Sequence, residues 1–106
     1  MTIKKYSFQL SVAAKSDLIH IRRYILEKWG KLQTEQYLAE MKATMQFLVQ
    51  NPNAGKERND VGEMVFSFPY KSHMIYYIKK STEIIIIAVL HQKMLPKNHL
   101  SSHFKF

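Results

Sequence analysis

The stretch Glu83–His91, EIIIIAVLH, decides the fold, because its apolar run leaves no polar face. Its four consecutive isoleucines, Ile84–Ile87, are β-branched, and β-branched residues favour strands. A strand that is apolar on both faces lies inside a sheet with other groups packed on each side. We therefore expect a central strand here, covered by helices on one side and by chain or a partner on the other.

Two further strands are predicted before this central strand. After Gly62 the pattern changes from helical spacing to alternation, which predicts strands over Met64–Pro69 and His73–Lys79 with short turns after each. The segment after the central strand, residues 92–106, is mixed and basic and contains Pro96. We interpret it as a basic C-terminal tail or a short helix.

Upstream of the strands, apolar residues recur at steps of three and four, which is the spacing of one helical face. They predict a first helix over Val12–Trp29, with Ser11 at its N-cap and Gly30 ending it. A second helix is predicted from about Leu32 to Val49, where the following proline stops it. Because the connection between them is short, the two helices should form an antiparallel hairpin.

The predicted order of elements is β-α-α-β-β-β, beginning with a short strand over Tyr6–Leu10. This order predicts an α+β fold in which an N-terminal strand and an antiparallel helical hairpin pack on a mostly antiparallel β-sheet. A length of 106 residues fits a single domain over residues 1–106, with the basic tail at about residues 92–106.

The net charge of +8 at pH 7 lies at the two ends of the chain. Residues 1–30 and residues 61–106 each carry +4, whereas residues 31–60 are neutral. Such a charge suits an acidic partner, either nucleic acid or an acidic protein, although it also serves solubility alone.

Several classes of protein are disfavoured by composition. The chain has no cysteine, which removes disulfides, thiolate nucleophiles and cysteine-based zinc sites. No signal-peptide apolar segment follows the N-terminal lysines, and the longest apolar run has seven residues, far short of the roughly 20 that span a bilayer. Glycines are too far apart for a phosphate loop. We expect a cytoplasmic protein without a membrane association or a cofactor.

The histidines offer two possible sites. His99 and His103 have helical spacing, but without a neighbouring carboxylate they give poor support for a zinc site. His73 and His91 stand at the edges of two predicted strands, where an acid–base pair for RNA cleavage would need both rings in one cleft with a group that stabilises the phosphate charge. The predicted sheet has no arginine, so structural histidines are favoured.

One ordered set of residues runs through most of the chain. Its members are Leu10-Ser11-x-x-Ala14-x-x-Asp17-Leu18-x-x-Ile21-x-x-Tyr24, Trp29-Gly30, Tyr37-Leu38, Asn51-Pro52-x-x-Gly55, Phe68, His73-x-Ile75-x-Tyr77 and Val89-Leu90-His91-x-x-Met94. The set covers roughly residues 6–95 and resembles the ParE branch of the ParE/RelE toxin superfamily.

The resemblance implies the toxin half of a bacterial type II toxin–antitoxin pair. ParE-like toxins act on DNA gyrase without a catalytic site of their own. Their ParD-like antitoxins combine a DNA-binding part with an acidic amphipathic tail, so operator DNA would be reached only through the antitoxin. A groove on an apolar helical hairpin of a basic protein is a suitable receptor for such a tail.

The resemblance also implies two groups of contact residues. We expect the antitoxin to bind residues of the helical hairpin, namely Ile21, Tyr24, Ile25, Tyr37 and Met41. We expect the target to contact the basic last strand and tail, namely His91, Lys93, Met94 and Lys97. No catalytic or metal-binding residue is expected.

Three positions depart from the usual family pattern. Phe66 and Ala88 stand where arginine is common, and Leu95 stands where aspartate usually follows methionine. RelE-like members cleave mRNA on the ribosome with cationic residues around this sheet, so the missing arginines favour the gyrase inhibitor. A ribosome-dependent mRNA interferase is the alternative, and an attenuated, non-toxic co-repressor module is the third hypothesis.

Overall fold

The computed structural model describes residues 7–81 and 83–94. Its elements are β1 (Ser7–Leu10), α1 (Val12–Trp29), α2 (Lys31–Gln50), β2 (Lys56–Glu57), β3 (Val65–Tyr70), β4 (His73–Lys79) and β5 (Glu83–His91). The predicted α+β class and helical hairpin are confirmed. The structure adds the two-residue strand β2, which the sequence pattern did not predict.

The sheet has five strands in the order β1-β5-β4-β3-β2. Strands β2 to β5 pair antiparallel with their neighbours, while β1 pairs parallel with β5. The prediction of a mostly antiparallel sheet is therefore confirmed. Strand β5 lies between β1 and β4, which agrees with the interior position expected from its apolar run.

A β-bulge in β5 determines which residues face the helices. Tyr76 pairs with Ala88 and Tyr77 pairs with Ile86, so Ile87 has no partner in this register. After the bulge, Val89 belongs to the core under the helical hairpin, whereas Ala88 belongs to the core on the opposite face. The bulge thus turns Val89 toward the helices near the end of the strand.

Beyond the end of β1, side chains at the N-cap and in the first half of helix α1 form hydrogen bonds with the backbone of β5. The Ser11 side chain accepts a hydrogen bond from the Ala14 N–H at 3.0 Å and donates to the Ile87 carbonyl at 3.2 Å. Farther along, Asp17 Oδ2 accepts the N–H of Val89 at 3.0 Å. These two polar side chains join α1 to the strand, which gives the Ser11-to-Asp17 part of the sequence pattern a structural role.

The two helices are separated by a single residue. Gly30 has φ = 85°, a left-handed conformation that glycine adopts without strain, and its N–H donates to the Leu26 carbonyl at 3.1 Å. The predicted end of α1 is therefore confirmed. Within residues 7–81 and 83–94, neither helix has the length and apolar character needed to cross a membrane.

Both faces of the sheet are buried. One core lies between the sheet and the hairpin and includes Ile21, Met41 and Ile86. The other lies on the opposite face and includes Tyr76 and Leu90, with Val61 from the β2–β3 connection packed against it. Because a hydrophobic core lies on each face of the sheet, β5 carries no polar face.

Candidate partner-binding cleft

A cleft of about 910 Å³ opens between the helical hairpin and one end of the sheet. Its walls come from α1, the first part of α2, the turn between β3 and β4, and the end of β5 with the residues after it. The contribution of α1 consists of Asp17, His20, Ile21, Tyr24, Ile25, Lys28 and Trp29. These positions follow one another at helical spacing, which places them along one side of the helix.

The α1 wall combines a buried floor with an exposed aromatic rim. Ile21 and Ile25 are 8% and 5% exposed, and they belong to the core beneath the hairpin. Tyr24 and Trp29 are 56% and 59% exposed although both are large and apolar. Large exposed aromatic side chains around a concave surface are typical of protein-binding sites.

Two histidines meet at the opposite wall. His73 begins β4, His91 ends β5, and the two residues are direct partners in the antiparallel register. Their ring centroids lie 5.6 Å apart in an edge-to-face arrangement. The sequence favoured structural histidines here and named a shared cleft only as a requirement of an acid–base pair; the strand register brings the two rings together.

His73 is held in the neutral form. Burial, together with the nearby His91, lowers the pKa of His73 from its usual 6.5 to about 4. The hydroxyl of Tyr37 lies 2.6 Å from His73 Nδ1, and the two rings pack edge to face. His73 consequently presents a neutral imidazole to the cleft at physiological pH.

A second tyrosine fixes the position of Tyr37. The Tyr70 hydroxyl donates to the Tyr37 carbonyl at 2.7 Å, and the ring centroids lie 5.1 Å apart. Desolvation in this cluster raises the pKa of Tyr70 above its ordinary value. Strand β3 and helix α2 are thereby joined at the edge of the cleft.

Lys71 lies over both tyrosine rings. Its Nζ is 5.3 Å from the centroid of Tyr37 and 5.6 Å from that of Tyr70. It also forms an ion pair with Glu40 at 2.8 Å, which raises the pKa of Lys71 and lowers the pKa of the carboxyl group. Lys71 has φ = 52°, an uncommon conformation for a residue other than glycine, in the tight β3–β4 turn.

The end of β5 completes the cleft. His91 Nδ1 accepts the N–H of Lys93 at 3.2 Å, and the N–H of Met94 donates to the His91 carbonyl at 2.9 Å. Met94 lines the cleft and is 42% exposed, whereas Lys93 is exposed but lies outside the lining. The chain turns immediately after His91 and brings Met94 back toward the opening.

The structure brings most of the predicted contact residues into this one cleft. Six of them line it, four from the predicted antitoxin group and two from the predicted target group: Ile21, Tyr24, Ile25, Tyr37, His91 and Met94. Met41 is 1% exposed and packs in the core, so it offers a partner no surface here. Lys97 and the His99–His103 pair lie outside the described residues.

Sequence reasoning did not select several residues of the cleft. The candidates did not include Trp29, Lys28 or Lys71. Lys28 could have been found, because it follows Tyr24 by four residues and therefore lies on the same side of α1. None of the three arginines lines the cleft, and Arg58 instead pairs with Asp60 at 2.9 Å. In residues 7–81 and 83–94, no group of three His, Cys, Asp or Glu side chains could hold a metal ion.

The cleft is therefore equipped for binding through apolar and aromatic contacts, with polar groups that include three histidines and two lysines. A sequence family described as the ParE toxin of the type II toxin-antitoxin system, parDE, matches residues 8–96. Toxin ParE1 of Caulobacter vibrioides is 31% identical over 93 residues, which covers 88% of this chain and 96% of the relative. Toxin ParE1 of Mycobacterium tuberculosis strain H37Rv is 30% identical over 88 residues, which covers 82% of this chain and 90% of the relative.

A solved structure shares the fold. It is described as a chromosomal ParDE TA system from P. aeruginosa, and it aligns with a TM-score of 0.70 at 18% sequence identity. The alignment covers 84% of this chain and 98% of that chain. The likeness therefore extends over most of both chains.

Proposed function

The chain belongs to the ParE toxin family of type II toxin–antitoxin systems, and from this premise we propose that it inhibits DNA gyrase by binding and is neutralised by a ParD-like antitoxin. Both partners would be met in the cytoplasm, and operator DNA would be contacted only through the antitoxin. The observation that carries the proposal is the single cleft in which six of the predicted contact residues meet.

The antitoxin is proposed to fill the cleft. Buried Ile21 and Ile25 provide an apolar floor, and exposed Tyr24 provides an aromatic anchor at the rim. Lys28 and Lys71 add positive charge on opposite walls, which suits an acidic amphipathic segment. Met41 is left out of this proposal because it is enclosed in the core.

The target is proposed to contact the end of β5 and the residues that follow it. His91 and Met94 line the cleft, and Lys93 stands exposed beside them. The proposed antitoxin and target surfaces thus share His91 and Met94. An antitoxin that occupies the cleft would cover part of the proposed target surface, which supplies a direct physical route to neutralisation.

Two observations favour binding over catalysis. The cleft contains no arginine that could stabilise a developing phosphate charge. A pKa of about 4 keeps His73 from serving as a general acid near neutral pH. A ribosome-dependent mRNA interferase remains the second candidate, because His73 and His91 do lie together in one cleft. Mapping of transcripts after induction separates the two, since the proposed inhibitor leaves mRNA uncleaved.

Gyrase assays test the leading proposal directly. We expect micromolar protein to inhibit supercoiling or to increase gyrase-dependent DNA cleavage, and no effect on either reaction would overturn the proposal. The variant Lys93→Glu should act more weakly, because it reverses the charge beside the cleft. Lys42→Glu makes the same charge change on an exposed position of α2 and should behave as wild type.

Antitoxin binding is tested with the neighbouring gene product. Tyr24→Ala should weaken the complex by about tenfold or more, because exposed aromatic anchors dominate such interfaces. Phe47→Ala removes an aromatic side chain of similar exposure on α2 outside the cleft and serves as the control. Equal weakening by both variants would remove the cleft from the proposal.

A further inference from the structure

We propose that His73 and His91 form a carboxylate-binding subsite that receives one Asp or Glu side chain of the protein partner in the cleft. The inference rests on the proposed function only in that a protein occupies this cleft. In this subsite the two histidines donate hydrogen bonds through the ring nitrogens that have no partner among residues 7–81 and 83–94.

The hydrogen bond from Lys93 decides the tautomer of His91. A backbone N–H can only donate, so His91 Nδ1 must carry a lone pair where it accepts the Lys93 N–H at 3.2 Å. The ring hydrogen of neutral His91 is therefore on Nε2. Within the described part of the chain, that N–H has no hydrogen-bond partner, and His91 lines the cleft.

The hydroxyl of Tyr37 determines the tautomer of His73 in the same way. We assign the hydrogen to the hydroxyl, which then donates to His73 Nδ1 at 2.6 Å, because it has no other acceptor among residues 7–81 and 83–94. The reverse assignment would leave the hydroxyl hydrogen unpaired. His73 then carries its own hydrogen on Nε2, as His91 does.

The Nε2–H of His73 is a donor that needs an external acceptor. His73 is only 8% exposed, and its sole hydrogen bond among the described residues is the one to Tyr37. Buried polar groups are nearly always paired, so an unused donor beside an open cleft indicates a ligand atom. The ring of His91 lies 5.6 Å from that of His73, and in the proposed subsite its Nε2–H is the second donor to the same acceptor group.

The surrounding charges favour an anion as that acceptor. Lys28 and Lys71 line the cleft, with Lys71 also paired to Glu40, and the one carboxylate among the described lining residues, Asp17, already accepts the N–H of Val89. Burial and the nearby His91 lower the pKa of His73, and a carboxylate in the cleft would offset both effects.

A protein carboxylate fits this site better than a nucleic-acid phosphate does. Nucleic-acid binding depends on several cations that contact the backbone. Here Lys71 is already paired with Glu40, Lys28 lies 5.3 Å from the Tyr24 ring centroid, and no arginine lines the cleft. The cleft also exposes the apolar surfaces of Tyr24 and Met94, which suit an acidic residue flanked by apolar ones.

Two small molecules of nearly the same shape test the subsite in the intact protein. 3-Phenylpropionate combines an apolar ring with a carboxylate, and 3-phenylpropanamide replaces the carboxylate with a neutral amide. We expect the carboxylate to bind about tenfold more tightly, since a charged acceptor strengthens both hydrogen bonds. Its binding should shift the Nε2–H signals of both histidines in NMR spectra and change the fluorescence of Trp29, the one tryptophan.

Variants show whether the histidine pair causes that preference. His91→Phe keeps a flat ring but removes one of the two donors, so the preference should fall from roughly tenfold to about threefold. His91→Gln retains an N–H donor and should keep part of it. His20→Phe is the matched control, because His20 lines the same cleft outside the pair, and it should keep the full preference.

Three results would overturn the subsite. These are equal binding of the acid and the amide, a preference that His91→Phe leaves undiminished, and unshifted histidine signals at tens of millimolar 3-phenylpropionate. A thymidine oligonucleotide that shifts the same signals at lower concentration would assign the site to phosphate and overturn it as well. Gyrase inhibition is measured separately, so failure of the subsite and failure of the proposed function are distinguishable.

Discussion

Two hydrogen-bonded clusters on β4 differ in how completely their polar groups are paired. In one, Tyr77 is fully buried, donates to the Pro52 carbonyl at 2.9 Å and accepts the Gly55 N–H at 3.0 Å. In the other, His73 is nearly as buried, but among the residues that the structure describes it bonds through one ring nitrogen only, toward Tyr37. We call the cluster of Tyr77, Pro52 and Gly55 the closed cluster, and it stabilises the fold. The cluster of His73 and Tyr37 is the open cluster, and it leaves a donor for a partner.

The closed cluster leaves no room for a side chain at residue 55. A Cβ on Gly55 would overlap the Tyr77 hydroxyl, so Gly55→Ala must displace the tyrosine from a fully buried site. We expect a loss of about 3 kcal/mol in the free energy of unfolding, measured by urea denaturation. The double variant Gly55→Ala/Tyr77→Phe should lose less than the sum of the single losses, because the hydroxyl is gone. Strict additivity would show that the two residues are not coupled.

Acid should weaken the open cluster. The pKa of His73 is lowered to about 4 in the folded protein, below its usual 6.5, so the unfolded chain binds the proton more readily. Stability should therefore fall as the pH decreases from about 7 toward 4, with His73 contributing about 2 kcal/mol of the loss by pH 4.5.

The pH dependence of stability in the wild type is compared with that in His73→Phe, where residue 73 has no titratable group. Urea denaturation of both proteins at pH 7 and pH 4.5 should give a smaller decrease for the variant. Equal decreases would mean that His73 is not held neutral by burial. Tyr77→Phe changes no group that titrates in this pH range, so it should keep the pH dependence of the wild type.

The sequence predicts the elements that have local chemical signals and misses the pairings that join distant segments. The bounds of α1 were predicted correctly because Ser11 and Gly30 mark its ends chemically. Strand β2 was missed because Lys56–Glu57 is too short to show a period. The parallel pairing of β1 with β5 joins segments more than 70 residues apart, and local pattern carries no trace of it.

The same limit applies to the cleft. Spacing placed Tyr37 and Met41 on one face of α2, but only packing reveals that Tyr37 borders the cleft while Met41 lies in the core. His73 and His91 were recognised as residues at strand edges, and their contact depended on the exact register of β4 and β5. Their tautomers follow from Tyr37 and Lys93, which no sequence pattern connects to them.

Removal of the Tyr37 hydroxyl should have the smallest effect on stability and the clearest effect on binding. Tyr37→Phe deletes the hydrogen bond to His73 Nδ1 and should cost about 1 kcal/mol in urea denaturation, since Tyr37 is half-buried and its ring contacts remain. Without that donor, the ring hydrogen of His73 is free to occupy Nδ1, so the preference for 3-phenylpropionate over its amide should fall. If Tyr37→Phe instead lost as much free energy of unfolding as is expected for Gly55→Ala and kept the preference for 3-phenylpropionate, Tyr37 would belong with the closed cluster. The hydroxyl of Tyr37 would then support the fold and have no part in orienting a binding group.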